Sequence, residues 1–404
     1  MMSYLTTDIP GTGGKIKETP EDFRVEEIPL YLPSGTGEHT YVVIEKRGLT
    51  TLEAMRRISR ALNVPERDMG YAGMKDSVGV TRQTFSIPRV APELCSALDL
   101  PGVRVLSALR HGNKLKPGHL AGNRFRLRIR EVAEDALPRA EATLKVLESR
   151  GVPNYFGAQR YGVQGNSHLI GRAMVRGDWR EAFDTVIGDP SGVRDDRWRA
   201  AIEAYRRGDL EESIRTFPGH CRTERDILQR LTKRPDSYEK AFYAIQPRLK
   251  KLYLSAYQSS LFDRLLEERL PGFDRVMTGD LAIKHDNGAC FLVTDGALEA
   301  PRAEAFEISP SGPMFGCRMR FPEGEPRELE EVLLNGENLA PASFDLPGGL
   351  AMDGERRPLR VPLVDPGVER DGEDLMLSFA LPRGSYATSV LREIMKNEDE
   401  GCRL

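Results

Sequence analysis

Residues 70–87 read GYAGMKDSVGVTRQTFSI. A Gly-rich turn sets Lys75 beside Asp76, and residues 80–87 then alternate apolar and polar side chains, the period of a β-strand. The pattern predicts a carboxylate on a turn at a sheet edge, and loops held by a firm scaffold are where chemistry concentrates. Gly70 and Gly73 are expected to take positive φ and to bring the backbone close to a ligand. Clusters of Gly, Asp and Ser are also ordinary turn chemistry. A plain hairpin with a solvated Lys–Asp pair is therefore the competing reading, and the surrounding sequence decides between them.

A chain of 404 residues exceeds one ordinary core and predicts two domains. With 40 % hydrophobic and 29 % charged residues the composition is that of a globular protein. No apolar run approaches the roughly 18 residues that span a bilayer, so no membrane partner is expected. The opening MMSYLTTDIPGTGG has neither the basic nor the apolar stretch of a signal peptide, which predicts a cytoplasmic protein. Cys95, Cys221, Cys290, Cys317 and Cys402 are odd in number and never spaced C-x-x-C, which argues against a disulfide framework and a zinc site. The net charge of −3 is unevenly spread. Residues 1–153 carry 23 Lys and Arg against 19 Asp and Glu, and residues 154–345 carry 27 against 31. Within 103–130, Arg104, Arg110, Lys114, Lys116, Arg124, Arg126, Arg128 and Arg130 stand with no acid among them. A cationic field of that kind favours a polyanion.

Taken in order, the chain alternates between strand and helix signals. Phe23 opens a short strand and is expected to be half-buried. Residues 38–46 read as a strand, with Thr40, Val42 and Ile44 facing one way and Tyr41, Val43 and Glu45 the other. Thr50 and Thr51 cap a helix whose apolar stripe is Leu52, Met55, Ile58 and Leu62. In 125–130, Phe125, Leu127 and Ile129 alternate with Arg126, Arg128 and Arg130, which puts the three guanidiniums about 6.6 Å apart on one strand face. Such a row suits a phosphate backbone; a solvated arginine face is the plainer alternative. A helix is predicted over 131–151. The segment 152–162, VPNYFGAQRYG, interleaves aromatics, amides and Arg, a composition that suits either base stacking or a packed hinge. Helices follow at 178–187, 197–207, 225–231 and 249–270, then short strands at 289–294, 315–321, 357–361 and 375–381, and a helix after Pro382. Strand-rich ends around a helical middle predict a domain interrupted by an insertion, with 397–404 loose.

Six segments together resemble the TruD family of tRNA pseudouridine synthases: PEDFRVEE (20–27), AGMKDSVGVTRQ (72–83), GNRFRLRIR (122–130), VPNYFGAQRYG (152–162), SAYQSSLFDRLLEERL (255–270) and LPRGSYATSVLREI (381–394). The resemblance implies an α+β fold. A pseudouridine synthase catalytic domain with a central, mainly antiparallel mixed sheet (1–153 plus 346–404) would be interrupted by the family's own α+β insertion (154–345), with an extra helical expansion at about 172–250. Residue by residue, Asp76 matches the catalytic aspartate, with Lys75 beside it. Phe23, Asn123 and Phe125 match contacts to the target uridine, Tyr386 matches an aromatic position at the pocket, and Lys17 matches a basic residue near the carboxylate. The resemblance also implies tRNA as partner, uridine-13 of the D arm as target, and no metal, cofactor or obligate protein partner. The strand pattern gives Phe125 to the core face, whereas the resemblance gives it to the pocket.

Pseudouridylation detaches uracil from C1′, turns it and rejoins it through C5. Such an isomerisation needs one ionised carboxylate, and neighbouring cations keep a carboxylate ionised. The base must first leave its stack, at a cost of a few kcal/mol that aromatic stacking and phosphate contacts offset. Phe23, Phe125 and Tyr386 are the expected platform, Asn123 the expected amide, and Arg126, Arg128, Arg130, Lys114 and Lys116 the expected backbone contacts. The alternative is a non-catalytic RNA-binding protein or RNA chaperone that uses the same basic residues.

Overall fold

A computed structural model describes residues 3–397, and residues 398–404 of the expected loose tail lie outside the described residues. The described residues form two compact units, one of Tyr4–Val152 with residues 361–397, the other of Pro153–Arg360 with Ser3.

In the first unit the strands are β1 (Phe23–Pro29), β2 (His39–Arg47), β3 (Gly70–Tyr71), β4 (Val80–Pro88), β5 (Val103–His111) and β6 (Leu120–Ile129). Two short strands, β7 (Val152–Pro153) and β12 (Arg360–Val361), carry the chain out to the second unit and back. The second unit contributes β8 (Leu281–Lys284), β9 (Cys290–Leu292), β10 (Ile308–Met314) and β11 (Glu355–Pro358), and the return segment β13 (Val364–Asp371) and β14 (Asp374–Pro382). The fold is α+β. The central sheet runs β13-β14-β6-β1-β4-β2-β5, with β3 also on β4. Only β1 and β4 pair in parallel, so the sheet is mainly antiparallel, as expected.

Strand alternation gives this sheet two unlike faces. Phe23, Val25, Phe125, Leu127, Ile129, Leu377 and Phe379 pack with the helices Ala136–Arg150 and Ala387–Met395. Val42, Ile44, Phe85 and Ile87 pack with the helix Thr51–Leu62. That helix begins as predicted, with Thr50 accepting from the Glu53 amide at 3.1 Å. Its inner stripe, however, is Thr51, Ala54, Met55 and Ile58, and Leu52 turns outward. On the opposite face Arg24, Glu26, Arg124 and Arg126 are exposed.

The second unit is helical from Ser167 to Phe242, and the 23-residue helix Pro247–Arg269 underlies a four-stranded sheet of order β11-β10-β8-β9. Residues 346–360 were expected with the outer segments. They belong to this unit, because β11 pairs with β10 in four register positions. The strand expected at 315–321 is absent; β10 precedes it. The two prolines of β10, Pro310 and Pro313, disguise it as a loop. Its first half pairs with β8 and its second half with β11, so neither proline sits in a ladder continued on both sides.

Glu337 ties this unit together. Its carboxylate accepts hydrogen bonds from Arg172 (2.7 Å), Arg176 (2.9 Å), Tyr257 (3.1 Å) and Arg264 (2.7 Å). Burial pushes the carboxyl up, but the bonds from Arg264, Arg172 and Tyr257 outweigh it and hold the group below its ordinary range. A depressed folded-state value contributes stability above the unfolded value and loses it as pH falls through the folded one. Glu337→Gln, which leaves three guanidiniums uncompensated, should therefore lower unfolding free energy by about 3 kcal/mol in neutral urea titrations. The difference from wild type should close as pH drops below the carboxylate range; a gap that persists there would show that charge is not its cause.

Candidate active site

The parallel pair sets the site. Because β1 and β4 run the same way, their first residues lie at one edge of the sheet, Arg24 opposite Val80. The loop that precedes β4 carries Asp76 to that edge, beside Phe23. Gly79 is required there, since a Cβ would lie 2.5 Å from the Phe23 carbonyl oxygen. Gly70 serves in the same way, its Cβ position being 2.1 Å from the Leu115 carbonyl oxygen. Neither Gly70 nor Gly73 has the positive φ expected of it. Close approach of protein backbone, not a left-handed turn, selects glycine at 70 and 79.

The Asp76 side chain is 28 % exposed, and a lysine and backbone amides hold it. Lys17 Nζ donates to Oδ2 at 2.5 Å, and the Val78 amide donates to Oδ1 at 3.0 Å across an Asx turn. Burial pushes the carboxyl up, but the Lys17 bond, the Val78 and Ser77 amides and the Lys17 charge outweigh it, so Asp76 titrates below its ordinary value. Lys17 has φ of 62°, and its ammonium lies 4.3 Å from the Phe23 ring centroid. Phe23, expected half-buried, is 5 % exposed and acts as the floor beneath Lys17.

Lys75 points elsewhere. Its ammonium donates to Glu27 at 2.9 Å in a buried pair, while its amide donates to Thr51 Oγ1 at 2.8 Å. The cation that keeps Asp76 ionised is thus Lys17 and not its sequence neighbour. Asn123 stands opposite Glu27 in the β1–β6 register, and its buried Oδ1 has no hydrogen-bond partner in the described structure. Tyr386 is half-buried at the N-cap of the helix Ala387–Met395.

Most of the remaining expected contacts have partners within the chain. Phe125 is a core residue: 6 % exposed, its ring 5.3 Å from that of Phe379, as its strand period requires. Arg128 and Arg130 are committed to carboxylates. Arg128 bonds Asp371 (2.5 Å) and Asp374 (3.0 Å), and Arg130 bonds both oxygens of Asp22 at 2.7 and 2.9 Å. Lys114 donates to the Arg67 carbonyl at 2.7 Å, and Lys116 is exposed on the loop between β5 and β6. Arg124 and Arg126 are held loosely, each 3.8 Å from an exposed acid, Asp365 and Glu369. With Arg24, Arg82 and Val80 they line a groove of about 230 Å³ on the sheet's open face, which also takes in Glu26 and Glu45.

Sequence reading missed Lys46. It is 1 % exposed and donates to the carbonyl oxygens of Leu49 (2.5 Å) and Asp76 (2.7 Å). The β2 alternation held the signal, since Lys46 falls in phase with Val42 and Ile44. Among the described residues no three His, Cys, Asp or Glu side chains are grouped to hold a metal ion, and no helix is long and apolar enough to cross a membrane.

The family model of tRNA pseudouridine synthase D matches residues 1–394. The tRNA pseudouridine synthase D of Geobacter sulfurreducens is 67 % identical over 399 residues, 99 % of this chain and 98 % of that protein. The enzyme of the same name from Geobacter metallireducens is 68 % identical over 393 residues, 97 % of each. Among solved structures, a Methanosarcina mazei chain assigned as tRNA pseudouridine synthase D superposes with a TM-score of 0.84. The two are 27 % identical, covering 98 % of this chain and 96 % of that one.

Replacing Lys17 with Met leaves burial of Asp76 less opposed, so its titration should move to higher pH. The carbon resonance of the labelled carboxyl that vanishes in Asp76→Asn reports it. An inflection unchanged from wild type would remove Lys17 from that role.

Proposed function

The chain belongs to the tRNA pseudouridine synthase D family, isomerases acting on tRNA, and from that premise we propose that Asp76 is the carboxylate that acts on the target nucleotide, uridine-13 of the D arm. The observation that carries the assignment is the anchoring of the Asp76 carboxylate by Lys17 and the Val78 amide. One partly open carboxylate is held by Lys17 and two backbone amides, with its charge favoured despite burial. A preorganised charge of this kind acts without reorganising during reaction.

The isomerisation breaks the bond between C1′ and N1 and makes one between C1′ and C5. The C5 proton leaves and N1 is left protonated, so atoms balance with no co-reactant. The base reaches the carboxylate only after leaving the helical stack. Two groups then suit the freed ring. The orphan Oδ1 of Asn123 offers an acceptor for the N3–H of uracil, and Tyr386 offers an aromatic face. Phe23 acts through Lys17, whose ammonium it supports.

For the RNA backbone we assign Arg24, Arg124 and Arg126 on the open sheet face; Arg82 lines the same groove but donates to Glu45 at 2.9 Å. Exposed ion pairs near 4 Å contribute about 0–1 kcal/mol, so a phosphate competes with Asp365 and Glu369 at little cost. Arg128 and Arg130 serve the fold. In this reading the unit containing Asp76 is the pseudouridine synthase catalytic domain and Pro153–Arg360 the family's insertion.

Asp76→Asn should cut single-turnover pseudouridine formation at least about a thousandfold. Its tRNA dissociation constant should stay within about threefold of wild type, since the change removes no phosphate contact. Carbodiimide mapping of the product checks both the loss and the position. Turnover retained in the variant would exclude Asp76, and product at another nucleotide would exclude uridine-13.

A further inference from the structure

The loop that carries Asp76 is held from several sides, and one short segment holds it at more than one place. Residues 46–51 grip the loop at three points. Lys46 Nζ donates to the Asp76 carbonyl at 2.7 Å, and the Lys75 amide donates to Thr51 Oγ1 at 2.8 Å. The Gly48 amide donates to the Gly79 carbonyl at 3.3 Å. Thr51 is fixed in turn by its bond to Gln83 on β4 at 2.9 Å.

Lys46 is the anomalous member. Lysine is almost never fully buried unless paired. Here the ammonium is 1 % exposed, and its bonds in the described structure run to two carbonyls, those of Leu49 and Asp76, with no carboxylate salt bridge. A buried cation without its own counter-ion is costly. Burial depresses its titration to about 8, with Asp76 acting to raise it and Lys75 to lower it. A hydrophobic residue would suit the β2 position better, since Val42 and Ile44 occupy the same face. What the ammonium supplies that an apolar side chain cannot is a pair of donors that join the turn after β2 to the backbone of the catalytic residue.

We propose that Lys46 is a positioning residue for the isomerisation, fixing the Asp76 main chain so that its carboxylate meets the flipped nucleotide in register. The inference rests on the assignment of Asp76 above. Lys46 touches no substrate atom; it acts through Asp76. A displacement near 1 Å at a reacting group costs about a hundredfold in rate, and the Lys46 bond to the Asp76 carbonyl opposes such a displacement.

The test compares wild type, Lys46→Met, Lys46→Gln and Asp76→Asn on the same tRNA transcript, with thermal unfolding of each to establish folding. Lys46→Met should lower kcat about 10- to 100-fold while KM and the tRNA dissociation constant stay within about twofold of wild type. Lys46→Gln, whose amide still donates to a carbonyl, should fall between Lys46→Met and wild type. Should the methionine variant fail to fold, the glutamine variant carries the test alone. A folded variant with wild-type kcat, or with its loss confined to KM, overturns the proposal. If Asp76→Asn is inactive and the Lys46 variants are not impaired, only the present inference falls. If Asp76→Asn remains active, the parent assignment falls with it.

Discussion

A carboxylate at the end of a sheet, half enclosed by its own loop, keeps its charge more firmly when a cation reaches it from elsewhere in the chain. Here that cation comes 59 residues upstream, as Lys17 against Asp76 at 2.5 Å. The contact constrains much of what surrounds it. Lys17 adopts a left-handed backbone, unusual for a lysine, and lays its ammonium over Phe23. Phe23 is the first residue of β1, and Asp76 lies just ahead of β4. Those strands are the single parallel pair of the central sheet. Parallel strands need a long crossover; β2, the helix Thr51–Leu62 and β3 lie between them in sequence. The crossover therefore delivers two things at one edge, the ring that supports the cation and the acid the cation serves. It also passes Lys46–Thr51 behind the loop, which is why that segment is in place to grip it.

Much of this architecture was legible in the sequence, and the failures have physical causes. Period-two alternation located β2, β4 and β6, because each buries one face against the core and so must alternate. The same alternation assigned Phe125 to the core face of its strand, and the ring is buried there. Lys46 was legible in principle from its phase with Val42 and Ile44. It went unread because a charged side chain at a strand's end looks like the start of solvent. The partners of Lys75 were not legible at all, since adjacency in sequence places side chains on opposite sides of an extended backbone. Lys75 turns inward to Glu27 while Asp76 turns out. β10 was hidden by Pro310 and Pro313, residues that ordinarily exclude a strand with neighbours on both sides. Its split pairing removes that conflict, and nothing local in the sequence announces a split.

The arginine row shows why charge counting along a chain misjudges a surface. Eight cations with no acid between residues 103 and 130 suggested an unbroken polyanion track. Folding returns acids to that track from distant positions: Asp22 ahead of β1, Asp371 at the end of β13 and Asp374 at the start of β14. The geometry of those returns separates structural arginines from available ones. Arg130 has both oxygens of a buried carboxylate, the arrangement in which a charge-assisted bond is strongest and most directional. Arg124 and Arg126 have single contacts near 4 Å to acids that water also reaches, and such pairs contribute little and weaken further with salt. Along one strand, then, the phosphate-binding capacity is graded. The end beside Asp22 locks the sheet, and the exposed middle lines a groove with Arg24, where Asp365 and Glu369 hold Arg124 and Arg126 only loosely. A row of alternating arginines is thus two devices in series, and the distance to the partner carboxylates, with their burial, tells them apart.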